Sequence, residues 1–248
     1  MRRIPSGSVR FFYGPMDCGK STLALQIHDN QVRQGRRGVL LTRFDRSGPA
    51  RISSRIGLSS PALEVTDDLD LTAVLDAAAA TGAVDYVVVD EAQFLTPAQV
   101  DQLALAADER EIEVFAFGIA TDFRSRLFPG SARLFEIADR IAPVQVEVLC
   151  WCGRPGRFNA RLLGGRITRE GPTIVIADTG DPVAPGPDPD GGAPAYRVLC
   201  RRHYRAGRLG PQEPDAQEPD TDGPDADGPD TNGPDTDGPD RAGAGHGG

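Results

Sequence analysis

Continuous apolar runs of strand length alternate with segments of helical periodicity over the first 148 residues. Strands are predicted at residues 9–13, 37–42, 84–89, 113–118 and 144–148. Helices are predicted at residues 20–32, 69–80, 97–107 and 131–138. Because strands that are apolar on both faces need helices on each side, this order predicts an α/β fold with a parallel sheet between two helical layers. Residues 43–62, rich in Arg, Ser and Gly, are predicted to form a loop.

The pattern changes after residue 148, which predicts a domain boundary. Residues 149–207 contain short apolar runs, many Gly and Arg, and a Pro-, Gly- and Asp-rich loop at 178–194. A unit this poor in apolar residues needs a cross-link or a metal to fold well. Residues 208–248 are dominated by a Gly-Pro-Asp repeat. Because such a segment cannot offset the entropy cost of ordering, it is predicted to be disordered.

The acidity of the chain is concentrated in this tail. Eleven of the 36 acidic residues, but only one of the 27 basic residues, lie between Pro211 and the C-terminus. The rest of the chain is therefore close to neutral despite the formal net charge of −9, and no nucleic-acid partner is expected from the charge. Lys20 is the single lysine beside 26 arginines, which indicates that this position needs a compact ammonium group.

No segment has the length and hydrophobicity of a secretory signal or a membrane span. We therefore expect a cytoplasmic protein without a membrane partner. In a reducing compartment, the four cysteines are expected to be metal ligands or free thiols rather than disulfides.

A glycine-containing loop separates the first predicted strand from the first helix. Its sequence, Gly14-Pro15-Met16-Asp17-Cys18-Gly19-Lys20-Ser21, has the GxxxxGKS spacing of a phosphate-binding loop. The glycines let backbone N–H groups point at phosphate oxygens, and the helix adds its positive N-terminal end. Lys20 is expected to reach the β- and γ-phosphates and Ser21 to coordinate Mg²⁺. The loop thus predicts a magnesium–nucleoside triphosphate site; a glycine turn that matches by chance is the alternative.

Two acidic residues, Asp90 and Glu91, follow the predicted strand at 84–89. In a parallel sheet, the carboxyl ends of the strands form the ligand-binding edge. Asp90 is placed to hold Mg²⁺ through water, and Glu91 to accept a proton from an attacking hydroxyl. An acidic helix start is the alternative, since the positive end of a helix favours carboxylates.

Four metal-ligating side chains occur as two pairs, Cys150 with Cys152 and Cys200 with His203. Three cysteines and one histidine make a closed tetrahedral zinc set, which would tether the loop-rich segment between the pairs. Free thiols grouped by chance are the alternative. Cys18 lies in the phosphate loop and is not expected to be a ligand.

In combination, these motifs resemble the type II thymidine kinase family, the zinc-containing cytosolic class. The similar segments are GPMDCGKST at 14–22, SSRIGLSSP at 53–61, VVVDEAQFL at 87–95, TDFRSRLFPGSARL at 121–134, LCWCGR at 149–154 and YRVLCRRHY at 196–204. They cover residues 8–205 in the family's order, and the short CxC pair is similar to that of bacterial members.

The resemblance implies a RecA-like P-loop domain at 1–148 and a zinc-binding lasso domain at 149–207, in a homotetramer. It implies transfer of the γ-phosphoryl group of ATP to the 5′-hydroxyl of thymidine or deoxyuridine in nucleotide salvage. The ATP contacts it implies are Gly14 to Ser21 and Asp90, Glu91, Ala92 and Gln93. Ser21 and Asp90 would hold Mg²⁺, Glu91 would be the catalytic base, and Zn²⁺ would be structural. The nucleoside contacts it implies are Phe94, Phe123, Phe128, Thr173, Ile174, Val175, Ile176, Ala177 and Tyr196.

The lasso of this chain departs from the family pattern. In the family, a Val-x-Ile-Gly-Gly segment is followed by the tyrosine within a few residues. Here Ile174-Val175-Ile176 is followed by Ala177-Asp178, and an insertion precedes Tyr196. The register of the nucleoside contacts is therefore open, and each of the three phenylalanines is also compatible with an ordinary core position.

Two other functions are compatible with parts of the sequence. The segment Asp90-Glu91-Ala92-Gln93 is similar to a helicase box, which makes a zinc-bearing P-loop ATPase that depends on nucleic acid the main alternative. Such a protein would need a second core or a basic strand-binding groove, and the chain after Cys150 is too short for the core. The other alternative is a nucleotide-binding protein whose altered lasso no longer closes on a substrate.

Overall fold

Strands and helices alternate through most of the computed structural model, which describes residues 7–43, 50–173 and 195–211. The elements in chain order are β1 (Ser8–Tyr13), α1 (Lys20–Arg33), β2 (Gly38–Thr42), β3 (Arg51–Ser53), β4 (Ser59–Pro61), β5 (Leu63–Glu64), α2 (Leu71–Ala80), β6 (Tyr86–Val89), a 3-10 turn (Ala92–Phe94), α3 (Pro97–Arg110), β7 (Glu113–Gly118), α4 (Pro129–Ile137), β8 (Arg140–Pro143), β9 (Phe158–Leu163), β10 (Arg166–Thr168), β11 (Ala195–Leu199) and α5 (Arg201–Ala206).

Six of these strands form the central sheet, in the order β5-β2-β6-β7-β1-β8. Every neighbouring pair in it is parallel. The predicted α/β fold with a parallel sheet is therefore confirmed. Because the strands are parallel, their carboxyl ends meet at one edge, and the loops after β1, β6 and β7 lie close together there.

The two faces of the sheet carry separate hydrophobic cores. Along β6, Tyr86 and Val88 pack into the core that includes Ala24 of α1. Val87 and Val89 point to the other face, into the core shared with α2, α3 and α4. Residues of a strand alternate between the faces of a sheet, so a strand buried on both sides reads as the continuous apolar run seen in the sequence.

A second, antiparallel sheet has the order β10-β9-β11. Its small core includes Ala160 and Leu199 together with two of the paired cysteines. Leu209, within the predicted tail at 208–248, also packs against this core. The domain boundary at 148/149 stays a prediction, and residues 212–248 lie outside the described part of the chain.

Two of the predicted elements are wrong. The strand predicted at 144–148 is replaced by β8, which lies just before it and pairs with β1 as far as Pro143 opposite Tyr13. Since β1 turns into the glycine loop at Gly14, residues beyond 144 have no further residue of β1 to pair with. The loop predicted at 43–62 contains the hairpin of β3 and β4, whose ladder runs from Arg51–Pro61 to Ser53–Ser59. Strands of three residues are too short for periodicity to reveal.

No helix in the described part of the chain combines the length and the apolar character that a bilayer span requires.

Candidate active site

The glycine loop lies between β1 and α1, where the sequence predicts it. Gly19 has a φ of 80°, in the left-handed region that favours glycine. The backbone N–H of Gly14 donates to the carbonyl of Gly118 at the end of β7, over 3.3 Å. Lys20 is only 8% exposed, and its Nζ lies 2.8 Å from the carbonyl oxygen of Pro15. The ammonium group therefore lies against the backbone of the loop.

Asp90 lies next to this loop, at the carboxyl end of β6. It is 4% exposed, and the side chain of Ser21 lies close enough to lower its pKa. Burial and the neighbouring Glu91 carboxylate raise the pKa of Asp90 to about 7, against the opposing effects of Ser21 and Lys20. A buried carboxylate beside a hydroxyl is a donor pair that suits Mg²⁺, which prefers oxygen ligands. These two residues therefore fit the ion that the loop sequence implies.

Glu91 occupies a constrained position immediately after Asp90. Its φ of 55° lies in the left-handed region, which is uncommon for a residue with a side chain. Its carboxylate accepts a hydrogen bond from Nε2 of Gln93, and Oε1 of Gln93 accepts one from the backbone N–H of Ile119 over 3.1 Å. Gln93 therefore ties the carboxylate of Glu91 to the end of β7. A Cβ on Gly118 would lie 2.8 Å from Gln93 Oε1, so this contact requires glycine there.

The aromatic residues implied to contact the nucleoside fall into two groups. Phe94 and Phe128 meet edge to face with their ring centroids 5.4 Å apart. The ring centroid of Phe123 instead lies 3.8 Å from the guanidinium carbon of Arg161. Nε of Arg161 donates to the hydroxyl of Tyr196 over 3.0 Å. Thr173 is described, whereas residues 174–177 lie outside the described residues.

Three polar residues that contact Phe123 or the phosphate loop were not predicted to be site residues: Arg124, Asn159 and Arg161. The Asn159 side chain accepts a hydrogen bond from the backbone N–H of Met16 in the phosphate loop. Asn159 and Arg161 are each 3% exposed, although they lie outside every segment that carries the family resemblance. The only signal is their spacing of two on a strand, which places them on one face.

A cavity of about 520 Å³ opens beside the phosphate loop. Gly14, Pro15, Thr121, Arg157 and Asn159 are among the residues that line it. This volume is within the usual range of small-ligand sites. The described residues that line it include none of those implied to contact the nucleoside.

The four paired side chains Cys150, Cys152, Cys200 and His203 come together, with all their ligand atoms within 4.8 Å of one another. The Sγ atoms of Cys152 and Cys200 are 3.9 Å apart, and Nδ1 of His203 is 3.4 Å from Cys150 Sγ and 3.6 Å from Cys200 Sγ. Tetrahedral zinc, with bonds of about 2.3 Å to sulfur and 2.0 Å to nitrogen, separates such atoms by about 3.8 and 3.5 Å. The cluster thus fits zinc, and Cys18 is not part of it.

A family model and individual relatives both match this chain to thymidine kinases. Residues 7–204 match the family model described as thymidine kinase. A thymidine kinase of Streptomyces coelicolor is 54% identical over 196 residues, which cover 79% of this chain and 87% of that protein. Thymidine kinases of Cutibacterium acnes and Rhizobium meliloti are 49% and 40% identical, over 81% and 78% of this chain and 89% and 94% of their own lengths.

Proposed function

We infer, because the chain belongs to the thymidine kinase family, that it transfers the γ-phosphoryl group of ATP to the 5′-hydroxyl of thymidine. The observation that carries this proposal is the match of residues 7–204 to the family. The product would be thymidine 5′-monophosphate, and deoxyuridine is a second expected acceptor. Within a cell, this reaction returns free nucleosides to the supply of DNA precursors.

ATP binding is assigned to the phosphate loop. The backbone N–H groups of Gly14 to Ser21 and the positive end of α1 would hold the phosphates, with Lys20 bridging the β- and γ-phosphates. Ser21 and Asp90 would hold Mg²⁺, which supplies neutralisation of the charge on the phosphates. The closeness of the two side chains, through which Ser21 lowers the pKa of Asp90, supports the assignment.

Glu91 is the base that we assign to the chemical step. Its carboxylate would take the proton of the 5′-hydroxyl while that oxygen bonds to the γ-phosphorus and the bond to the β-phosphate oxygen breaks. Gln93 supports this role because it holds the carboxylate in place from the end of β7. Phosphoryl transfer depends mainly on positioning and charge neutralisation, so a single fixed carboxylate beside the phosphate loop is sufficient.

The nucleoside is assigned to the region of Phe94, Phe123, Phe128 and Tyr196, with backbone contacts from residues 173–177. The Cys₃His cluster fits structural zinc, which would hold together the small sheet that carries Tyr196. The homotetramer remains a prediction from the resemblance, and the cytoplasmic location remains a prediction from the sequence.

A nucleoside panel tests the proposal against the nucleic-acid-dependent ATPase. The protein is incubated with Mg·ATP and each of thymidine, deoxyuridine, deoxycytidine and adenosine, or with single-stranded DNA. We expect thymidine to yield a nucleoside monophosphate with an equal amount of ADP, and DNA to have no effect. DNA-stimulated ATP hydrolysis without any nucleoside monophosphate would contradict the kinase.

A further inference from the structure

The ring of Phe123 lies against two guanidinium groups. The guanidinium carbon of Arg161 is 3.8 Å from the ring centroid, and that of Arg124 is 4.7 Å away. The backbone of Phe123 is also fixed, because its carbonyl accepts a hydrogen bond from the hydroxyl of Tyr204 in α5. Phe123 is 2% exposed. Both arginines therefore act on a ring that is held in place independently of them.

Arg161 connects this ring to Tyr196. The two residues lie directly opposite each other in the antiparallel pairing of β9 with β11, and Arg161 Nε donates to the Tyr196 hydroxyl over 3.0 Å. This contact fixes the hydroxyl of Tyr196. Tyr196 lies at the start of β11, which directly follows the segment 174–194 that the structure does not describe.

Arg124 connects the same ring to the segment before residue 174. Its Nε donates to the carbonyl of Arg169 over 2.9 Å, its Nη1 to the Thr173 hydroxyl over 3.3 Å, and its Nη2 to the carbonyl of Gly171. The turn that carries Arg124 is itself fixed, since the Asp122 carboxylate accepts from the backbone N–H groups of residues 124 and 126. Three donors of one planar group thus order the approach to Thr173.

We propose that Arg124 and Arg161 are positioning residues for nucleoside binding, which hold Thr173 and Tyr196 against Phe123. The inference rests on the proposed thymidine kinase activity and assigns a role to two side chains that the family resemblance leaves without one. The insertion before Tyr196 separates these two flanks along the chain. The arginines connect both flanks to the same ring.

The setting of Arg161 argues against a purely structural role. Its side chain is 3% exposed, its Nη2 is buried without a hydrogen-bond partner among the described residues, and no described carboxylate pairs with it. A buried cation with an unsatisfied donor is unfavourable for folding, and an apolar side chain of similar size would pack at lower cost. The contacts with Phe123 and Tyr196 are what such an apolar side chain could not supply.

Steady-state kinetics of the full-length protein test the proposal with Arg161→Met, Arg161→Lys and Arg124→Gln. Arg126→Gln is the matched control, because Arg126 is an exposed arginine of the same turn. We expect the KM for thymidine to rise about tenfold in Arg161→Met and about fivefold in Arg124→Gln, with the KM for ATP within about twofold of wild type. Zinc content should be unchanged in all variants.

A double mutant distinguishes the positioning of Tyr196 by Arg161 from a general loss of order in the site. If Arg161 acts through the Tyr196 hydroxyl, Tyr196→Phe should raise the KM for thymidine by a similar factor, and Tyr196→Phe with Arg161→Met should be no worse than Arg161→Met alone. Equal increases in both KM values, or an unchanged KM for thymidine, would overturn the proposal. Should Arg161→Met fail to fold, Arg161→Lys and Arg124→Gln still decide it. A wild-type protein that phosphorylates no nucleoside would overturn the proposed function, and this inference with it.

Discussion

The side-chain oxygen of Asn159 accepts a hydrogen bond from the backbone N–H of Met16 over 2.9 Å, although the two residues are 143 positions apart. Asn159 lies on β9 of the small sheet and Met16 in the phosphate loop. Arg161, two residues further along the same strand, contacts Phe123 and Tyr196. One buried face of β9 thus contacts both the expected triphosphate site and the expected nucleoside site.

Loss of the Asn159 contact should weaken ATP binding. In Asn159→Ala, Met16 loses the acceptor that fixes its N–H, a hydrogen bond worth about 1 kcal/mol, so the KM for ATP should rise about fivefold. The KM for thymidine should change less. Asn30→Ala, at an exposed position of α1, is the control and should behave as wild type. An unchanged KM for ATP in Asn159→Ala would show that the loop keeps its conformation without this contact.

Replacement of the assigned base should slow transfer without loss of ATP binding. Glu91→Gln keeps the size of the side chain but cannot accept the hydroxyl proton, so kcat should fall by about 10²–10⁴. Mg·ATP affinity, measured by calorimetry, should stay within about threefold of wild type. Glu109→Gln, at an exposed position of α3, serves as the control. A Glu91→Gln variant with wild-type kcat would remove Glu91 from this role.

The buried carboxyl of Asp90 should make stability depend on pH. Its pKa is raised to about 7 by burial first and by Glu91 second. Without Mg²⁺ and nucleotide, the folded protein keeps a proton on Asp90 that the unfolded chain loses above about pH 4. Stability from this group is therefore present at low pH and lost as pH rises toward 7.

Asp90→Asn removes this dependence because the amide stays neutral. Its Tm should exceed that of wild type by more at about pH 8 than at about pH 5, measured in the presence of a chelator. The same variant should bind Mg·ATP less tightly if Asp90 holds Mg²⁺ as proposed, since the amide carries no charge. A Tm difference that is constant with pH would mean that Asp90 titrates at its ordinary pKa in the folded protein.

The Cys₃His cluster should bind one zinc ion per chain. Cys152→Ala leaves an incomplete ligand set and should lose most of the metal, measured by elemental analysis of the purified protein. Its unfolding temperature should fall, because the small core around Leu199 and Tyr204 includes Cys150 and Cys200 of the cluster. Cys18→Ser is the matched control, a cysteine outside the cluster, and should retain full zinc. Full zinc content in Cys152→Ala would refute the assignment.

The parts of the site that could be predicted from the sequence are those that depend on local structure. A glycine loop between a strand and a helix determines the positions of Lys20 and Ser21 by itself. Asp90 and Glu91 reach the same edge because parallel strands place their carboxyl ends together. The grouping of Cys150, Cys152, Cys200 and His203 could be predicted because only a few side chains bind zinc.

The contacts that could not be predicted depend on how the second sheet packs. Asn159 and Arg161 look like ordinary polar residues of a short strand until β9 is placed beside the phosphate loop and Phe123. The error at 144–148 has a similar cause. Val144, Val146 and Val148 alternate as a strand would, but β1 ends at Tyr13, so only the N–H of Val144 finds a carbonyl there, at 2.9 Å.

Transfer of labelled phosphate from ATP to thymidine tests the account most directly. The full-length protein is incubated with Mg²⁺, thymidine and ATP that carries ³²P in the γ-position, and the products are separated by chromatography. We predict that the label appears in thymidine 5′-monophosphate at a rate equal to ADP formation, and that Glu91→Gln slows its appearance by at least about a hundredfold. Label that appears only as inorganic phosphate, with or without thymidine, would contradict the account.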